Sequence, residues 1–261
     1  MDAKDLEKKV QEKEEQIEEG KRFFSHKYPD MKYLAYFQAY TNTYADVQQC
    51  IALYEEALQV DDVIGIVIAT RPDAVSTALL DYLEELNRRT FLILEYGVES
   101  ANDETLRRIN RGHTFATSVD AIRKTAERGI RVGAHIILGL PGEGHDELMR
   151  QARIIATLPI TTFKIHQLQI IRGTRIHKEW QEHPWFLPSV KEYIEWVLDY
   201  VSLLPSSMVL ERFVSTSPSS LLVAPRWGLK GHEFTDLLHK AIECRTLSST
   251  GTVSSNSNAF L

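Results

Sequence analysis

Apolar runs of strand length recur along the chain, and segments with helical periodicity separate them. Most runs are continuous rather than alternating, which is typical of strands buried on both faces of a parallel sheet. In the intervening segments, apolar residues recur at the i, i+3, i+4 and i+7 positions of one helix face. This alternation predicts βαβ units and a parallel α/β sheet arranged as a barrel or an open barrel. The predicted strands are residues 33–37, 63–68, 91–94, 132–138, 162–168 and 209–214.

The two ends of the chain differ in composition from the part between them. Residues 1–28 place a few apolar side chains in a field of charge, which predicts an exposed helix lying against the barrel. The barrel is predicted over 29–232, and a further helix over 233–245. Residues 246–261 are rich in Ser, Thr, Asn and Gly, and this composition predicts a disordered tail.

Composition and charge exclude several classes of protein. The 261 residues are 43% hydrophobic and 25% charged, as in an ordinary globular protein, and the net charge of −6 gives no support to a broad nucleic-acid surface. No apolar stretch approaches the roughly 18 residues of a membrane span, and the charged N-terminal residues do not resemble a secretory signal. We therefore expect a cytoplasmic protein with no membrane partner. Its two cysteines, Cys50 and Cys244, form no CxxC pair.

Polar residues follow every predicted strand, at the edge where parallel sheets bind ligands. Any one such segment is equally compatible with a turn or a helix cap, but together they predict a polar ligand site. Glu95 and Glu99 follow an apolar run, where carboxylates are costly unless they are paired. His135 and His166 lie inside apolar runs, where a histidine is more often a core residue than a ligand. Their spacing matches no local zinc motif, so no metal ligand is predicted.

The phrases at these strand ends resemble the YhcC-like radical S-adenosylmethionine (SAM) proteins, relatives of oxygen-independent coproporphyrinogen oxidase and of elongator-type catalytic barrels. The resemblance covers about residues 30–228. The matching phrases are YFQAYTNTY (36–44), TRPD (70–73), EYGVES (95–100), RINRGHT (108–114), HIILGLPGE (135–143), KIHQL (164–168) and GT (173–174).

This resemblance implies an open, partial (β/α)6 barrel of parallel strands whose first strand-loop unit is missing. In the family that unit carries three cysteines, which hold the [4Fe–4S] cluster used to cleave SAM to a 5′-deoxyadenosyl radical. Because no CxxC is present, we expect this chain to hold no cluster and to be inactive by itself in that chemistry. An excised piece, a truncated gene product and a wrong start site are equally compatible with this expectation.

The resemblance also implies roles for individual residues. Thr41 falls beside the methionine amino group of SAM, Glu99 on its ribose hydroxyls, and Arg111 on its carboxylate, where a guanidinium pairs in bidentate geometry. The remaining cofactor positions are Ser100, His135, Ile137 and Gly139, and the positions on the substrate side, without assigned roles, are Arg71, Asp73, His166 and Arg212.

Three classes of function remain open at this point. The first is a radical SAM enzyme of unknown substrate, of which this chain is the barrel without cluster ligands. The second is a non-catalytic, degenerate barrel that serves as a binding or scaffold module for a protein or nucleotide. The third is a different barrel enzyme that uses Glu95, Glu99 and His135 as acid and base. The sequence does not indicate the substrate or the oligomeric state.

Overall fold

The structure is a computed structural model that describes residues 31–38 and 41–249. The predicted helix over 1–28 and residues 250–261 of the predicted tail lie outside the described residues, whereas residues 246–249 of that tail are helical. The strands are β1 (Tyr33–Phe37), β2 (Val63–Thr70), β3 (Phe91–Glu99), β4 (Arg131–Leu138), β5 (Thr162–Gln167), β6 (Ile170–Ile171), β7 (Val209–Arg212) and β8 (Leu222–Ala224). The helices are α1 (Val47–Ala57), α2 (Thr77–Asn87), α3 (Asp103–Arg108), α4 (Phe115–Glu127), α5 (His145–Ile155), α6 (Arg175–Glu182), α7 (Val190–Ser202) and α8 (Gly231–Ser249).

Six strands form one parallel sheet in the order β1–β2–β3–β4–β5–β7. The strands of this sheet thus follow one another in the same order as in the sequence, and helices connect them, as in successive βαβ units. Within the described residues, β1 and β7 each have one partner in this sheet, so the sheet is open. The predicted fold class, an open (β/α)6 arrangement of parallel strands, is confirmed.

A second, small sheet was not predicted. Strands β6 and β8 pair in antiparallel fashion, with Ile170 opposite Ala224 and Ile171 opposite Leu222. Strands of two and three residues are too short to show either an alternating or a continuous apolar pattern. The only long-range signal that marks them is their contact with each other, which a single sequence does not display.

The chain divides into two compact units, and the first consists of residues up to Gly97 together with Asp120–Gly133. Its described part holds β1, β2, most of β3, α1, α2 and most of α4. Helix α2 begins at the cap Ser76, whose hydroxyl accepts from the Leu79 amide. Its apolar face, including Leu83 and Leu86, is fully buried with the β2 and β3 residues Ile66 and Leu92. This unit follows the periodicity that the sequence shows.

The second unit consists of Val98–Val119 and Ala134–Leu261. It holds the carboxyl end of β3, most of β4, all of β5 and β7, and helices α3 and α5–α8. Phe163 of β5 stacks on Tyr200 of α7 with ring centroids 6.2 Å apart, and both rings are fully buried. Helix α8 begins before and ends after the predicted range 233–245. This unit carries the side chains described below.

Strand β3 is longer than predicted. The predicted strand ends with the apolar run at Leu94, yet the observed strand continues to Glu99. The ladder with β2 continues through Ala69 opposite Glu95 and Thr70 opposite Tyr96. Tyr96 and Val98 are completely buried, so the alternation places Glu95, Gly97 and Glu99 on the opposite face of the strand. The charged residues belong to the strand itself.

Within the described part of the chain, the search for a helix with the length and apolar character of a membrane span finds none.

Candidate functional site

The carboxylate of Glu99 lies at the carboxyl end of β3 and is only 12% exposed. Its backbone φ of 65° lies in the left-handed region, which costs a residue with a side chain about 1–3 kcal/mol. Two cationic or potentially cationic side chains face it: Arg111 Nη2 lies 3.3 Å from Oε1, and His135 Nδ1 lies 3.5 Å from Oε2. Strain of this kind is concentrated at ligand and active sites, where the surrounding structure holds it in place.

The end of helix α3 returns Arg111 to Glu99. The amide of Arg111 donates to the Leu106 carbonyl at 2.9 Å, and that of Asn110 donates to the Arg107 carbonyl at 3.1 Å, which together form a Schellman motif. Asn110 takes the left-handed conformation that this motif requires, with φ of 58°, and Asn tolerates that conformation better than most residues. The Arg-Ile-Asn-Arg phrase thus folds back sharply, and a five-donor guanidinium reaches the buried carboxylate.

His135 and His166 lie on the neighbouring strands β4 and β5. Their ring centroids are 5.4 Å apart with an interplanar angle of 88°, an edge-to-face arrangement. On each strand the histidine faces away from fully buried neighbours, Ile136 on β4 and Ile165 on β5. We call Glu99, Arg111, His135 and His166 the Glu99 cluster. All four were predicted as site residues, and the structure brings them together within the second unit.

The charges in the Glu99 cluster set its ionisation. Burial raises the pKa of Glu99, but His135 and Arg111 outweigh burial and hold that pKa below its ordinary value. Burial and the neighbouring His135 lower the pKa of His166 from 6.5 to about 4, although Glu99 acts in the opposite direction. At neutral pH the site therefore offers an ionised carboxylate as acceptor, a guanidinium as donor and a neutral imidazole that can do both.

Ile137 and Gly139 lie on and just after β4. Ile137 is two residues beyond His135 on the same strand face, and it packs against the apolar cluster of Leu140, Leu168 and Ile170. Gly139 has φ of 87°, a conformation that strains residues with a Cβ, while the nearest atom to an added Cβ would be 3.6 Å away. The conformation rather than the space therefore requires glycine. Both residues border the cluster in sequence, and their contact with the cofactor stays a prediction.

Ser100 was predicted as a cofactor contact, and the structure does not support that role. Its hydroxyl is fully buried and donates to Glu143 Oε1. Ser100 Oγ also accepts from the Asn102 amide at 3.0 Å, and Gln151 Oε1 accepts from the Ala101 amide at 2.8 Å. A hydroxyl with no exposed surface cannot reach a ligand. Ser100 instead ties the turn after Glu99 to the loop after β4 and to helix α5.

Glu143 is a buried acid that sequence reasoning placed only in a turn. It is 5% exposed, and burial raises the pKa of its carboxyl despite hydrogen bonds from Ser100 and other neighbours. Its Oε2 and the Tyr200 hydroxyl are both buried without a hydrogen-bond partner among the described residues. A carboxyl in such surroundings favours the protonated form. Its position at the end of the GLPGE phrase was the available signal.

Residues at the ends of β5 and β7 extend the site beyond His166. Lys164 is 8% exposed and its Nζ lies 3.2 Å from Glu211 Oε2, while its backbone partner in the ladder is Arg212. Arg212, predicted on the substrate side, is exposed, and its charge contributes to the low pKa of His166. Lys164 was not predicted as a site residue, although a lysine two positions before a strand histidine shares its face.

Four predicted or considered residues lie in the first unit. Arg71 and Asp73 form a bidentate ion pair with each other, with Nε–Oδ1 and Nη2–Oδ2 distances of 2.9 Å and 2.7 Å. The carboxylate of Glu95 accepts a hydrogen bond of 2.7 Å from the Tyr36 hydroxyl. Thr41 is partly buried in the segment between β1 and α1. The site described here therefore rests on residues of the second unit alone.

The thiols do not fit an iron–sulfur cluster. The sequence contains two cysteines, whereas the cluster implied by the resemblance takes three. Cys50 is buried, with its Sγ 3.7 Å from the Ala45 carbonyl, and burial raises the pKa of its thiol, which opposes the thiolate form that binds iron. Cys244 lies exposed on α8. Among residues 31–38 and 41–249, no group of three or more His, Cys, Asp and Glu side chains could hold a metal ion.

Sequence comparison connects the chain to one superfamily. Residues 3–153 match the Radical SAM superfamily, and residues 160–243 match the Radical SAM C-terminal domain. YtqA of Bacillus subtilis is 37% identical over 230 residues, which are 88% of this chain and 71% of YtqA. YhcC of Escherichia coli K12 is 34% identical over 197 residues, which are 75% of this chain and 64% of YhcC.

Structural comparison supports the same fold. An N-terminally truncated Elp3 from Methanocaldococcus infernus superposes with a TM-score of 0.64 at 21% identity, and the match covers 76% of this chain and 49% of that one. At this identity the likeness concerns the fold. Together with the sequence matches, it confirms the resemblance that the strand-end phrases indicate.

Proposed function

The chain belongs to the radical SAM superfamily, and we propose that its Glu99 cluster binds S-adenosylmethionine. One observation carries the proposal. Glu99 has a strained backbone conformation at the end of a central strand, and its carboxylate lies between the Arg111 guanidinium and the His135 imidazole. This is the carboxyl edge at which parallel sheets bind ligands. SAM offers complementary groups, since its ribose hydroxyls are hydrogen-bond donors and its methionine carboxylate is an acceptor.

Each member of the cluster suits one part of the ligand. Glu99 is ionised, so its oxygens can accept from both ribose hydroxyls. Arg111 offers a planar pair of donors to the methionine carboxylate, a geometry that lysine does not reproduce. His135 lies beside Glu99 on the next strand and supplies a further contact to the ribose. Ile137 and the backbone at Gly139 offer an apolar border for the adenine ring.

Radical chemistry in this superfamily depends on a [4Fe–4S] cluster, which when bound reduces SAM to give a 5′-deoxyadenosyl radical. The two cysteines of this chain do not fit the cluster, so its residues take no part in the radical step itself. We propose that a protein carrying this barrel together with cluster ligands is a radical SAM enzyme. In such an enzyme, the residues of this chain bind and orient SAM.

A second candidate is a binding module without radical chemistry. The observation in its favour is that the 261 residues supply only two thiols, one of them buried. Under this candidate the Glu99 cluster still binds SAM or a related nucleoside, but the ligand is not cleaved. Under either candidate this chain holds no cluster, so the two are separated on a protein that carries this barrel behind a three-cysteine segment. After anaerobic reconstitution and reduction, SAM cleaved to 5′-deoxyadenosine favours the enzyme, and SAM that binds but stays intact favours the module.

Calorimetry with SAM tests the proposal, using the chain and its Arg111→Ala and Arg111→Lys variants. Removing a charged hydrogen-bond partner costs about 1.5–3 kcal/mol, so affinity should fall roughly tenfold or more in Arg111→Ala. Arg111→Lys should recover only part of the loss, because the bidentate geometry is missing. Millimolar protein and ligand are appropriate, since a cluster would add contacts to SAM that the residues of this chain do not supply.

Arg107→Ala is the matched control. Arg107 is exposed on α3, the helix that precedes Arg111, and it donates to the Asp103 carbonyl rather than to Glu99. This variant should bind SAM as the parent does, and circular dichroism should show that all three variants are folded. Equal SAM affinity in the parent, Arg111→Ala and Arg111→Lys would refute the proposed site.

A further inference from the structure

Four residues form a row on consecutive strands of the second unit, each in the carboxyl half of its strand. Glu99 ends β3, His135 lies on β4, His166 on β5 and Arg212 ends β7, and these strands are consecutive in the sheet. Glu99 and His135 are 3.5 Å apart, and the two imidazole centroids are 5.4 Å apart. The row therefore continues past the proposed SAM ligands to a second position at the β5–β7 side.

The two ends of the row differ in charge. The Glu99 end holds an ionised carboxylate faced by Arg111 and His135. The other end holds Lys164 and Arg212, which are partners in the β5–β7 ladder, and Lys164 pairs with Glu211. Burial is the main cause of the low pKa of His166, and the positive charges of Arg212 and Lys164 add to it.

Arg212 is the cation available to a ligand at that end. Its side chain is exposed, and among the described residues its guanidinium forms no hydrogen bond or ion pair. Lys164, by contrast, is nearly buried and paired with Glu211. A guanidinium in this position can take a carboxylate or a phosphate in bidentate geometry.

The segment that follows Arg212 is held in place by side chains. Gln167 brackets Ser215, donating to its carbonyl and accepting from its amide, each at 2.7 Å. Gln169 also donates to the Ser215 carbonyl at 3.0 Å, and the Ser215 hydroxyl bonds His166 Nδ1. Tyr193 donates to the Phe213 carbonyl at 2.6 Å. The backbone around Arg212 is thereby fixed before a ligand arrives, which reduces the entropy lost on binding.

We infer that Arg212, beside His166 and Lys164, binds an anionic group of the substrate, a carboxylate or a phosphate, next to the SAM position. The bound anion belongs to a substrate only on the proposed function, whereas the anion position itself is a property of this chain. His166 hydrogen-bonds the same carboxylate or phosphate, and its ring is held in place by the Ser215 hydroxyl. The substrate class is accordingly a small molecule or polymer that carries at least one acidic group.

The test uses inorganic phosphate and acetate as separate probes at constant ionic strength. The imidazole resonances of 15N-histidine-labelled protein report binding, and the His166→Gln spectrum identifies the His166 signals. We expect saturable shifts of those signals with at least one probe, and the stronger probe indicates whether the substrate group is a phosphate or a carboxylate. In Arg212→Gln the dissociation constant should rise at least about tenfold.

Arg153→Gln is the control, since Arg153 is exposed on α5, and it should leave the shifts unchanged. The inference is overturned if neither probe shifts His166, or if Arg212→Gln binds the probe as tightly as Arg153→Gln does. Failure here is distinguishable from failure of the proposed function. A chain that binds SAM in an Arg111-dependent way but ignores both anions refutes only the anion position.

Discussion

Acidification should destabilise the protein through His166, and replacing this histidine should remove the effect. Burial and the neighbouring His135, Arg212 and Lys164 lower its pKa from 6.5 to about 4, with Glu99 opposing. Between these two pH values the unfolded chain carries a proton that the folded protein does not. Because the unfolded state binds more protons there, the free energy of unfolding falls as pH falls.

The size of the effect follows from the two pKa values. With about 6.5 unfolded and about 4 folded, the linkage relation gives a loss of about 2 kcal/mol between about pH 7 and pH 5. Other groups contribute their own pH dependence, so the quantity to compare is the difference between the parent and His166→Gln. Glutamine keeps a polar side chain of similar reach but does not titrate, and its stability should fall about 2 kcal/mol less over the same range.

Urea unfolding followed by circular dichroism at several pH values measures this difference. His232→Gln is the matched control, because His232 is exposed on α8, and it should follow the parent at every pH. Direct titration of the His166 imidazole by NMR gives an independent reading of the folded pKa. Parallel pH profiles for the parent and His166→Gln, together with a His166 pKa near 6.5, would refute the reasoning about burial and charge.

Three further predictions concern Glu143, Gly65 and Asn110. Glu143→Ala should lower the free energy of unfolding by about 1–3 kcal/mol, because the Ser100 hydroxyl loses its buried partner. Burial raises the pKa of Glu143, so the parent loses stability as pH rises above the ordinary glutamate range, and Glu143→Gln should gain stability relative to it. Urea unfolding at two pH values measures both effects. Gly65→Ala should destabilise by about 1–3 kcal/mol in thermal unfolding, because its Cβ would lie 2.5 Å from the Phe91 carbonyl oxygen; an unchanged melting temperature would contradict the packing. Asn110→Ala should lower the free energy of unfolding by about 1 kcal/mol, whereas Asn110→Gly should leave it unchanged or raise it, because residue 110 has a left-handed backbone conformation. Equal melting temperatures for the two variants would count against that conformation.

The sequence was sufficient for the sheet and for the family. Apolar runs, most of them continuous, mark all six strands of the main sheet, because burial on both faces favours apolar side chains at successive positions. The phrases at the strand ends led to the radical SAM family, which the comparisons confirm. Glu99, Arg111 and His135 were predicted to lie together and His166 on the substrate side, since Glu99 and the two histidines belong to neighbouring parallel strands; their ligand contacts stay predictions.

The sequence was not sufficient where contacts distant in the chain decide the structure. The predicted strand ends at Leu94, but the ladder with β2 extends to Tyr96 and the strand itself to Glu99. Ser100 looks like a ligand contact, but its partner Glu143 lies more than forty residues away, and the bond between them is seen only after folding. The bracket that Gln167 forms around Ser215 depends on the end of β7 in the same way.

A crystal structure of the chain soaked with millimolar SAM tests the central claim most directly. The account predicts ligand density at the carboxyl ends of β3 and β4, with the ribose hydroxyls within hydrogen-bond distance of Glu99 and the methionine carboxylate on Arg111. SAM bound elsewhere, or bound with Glu99 and Arg111 still paired only to each other, would contradict the assignment of this cluster as the cofactor site.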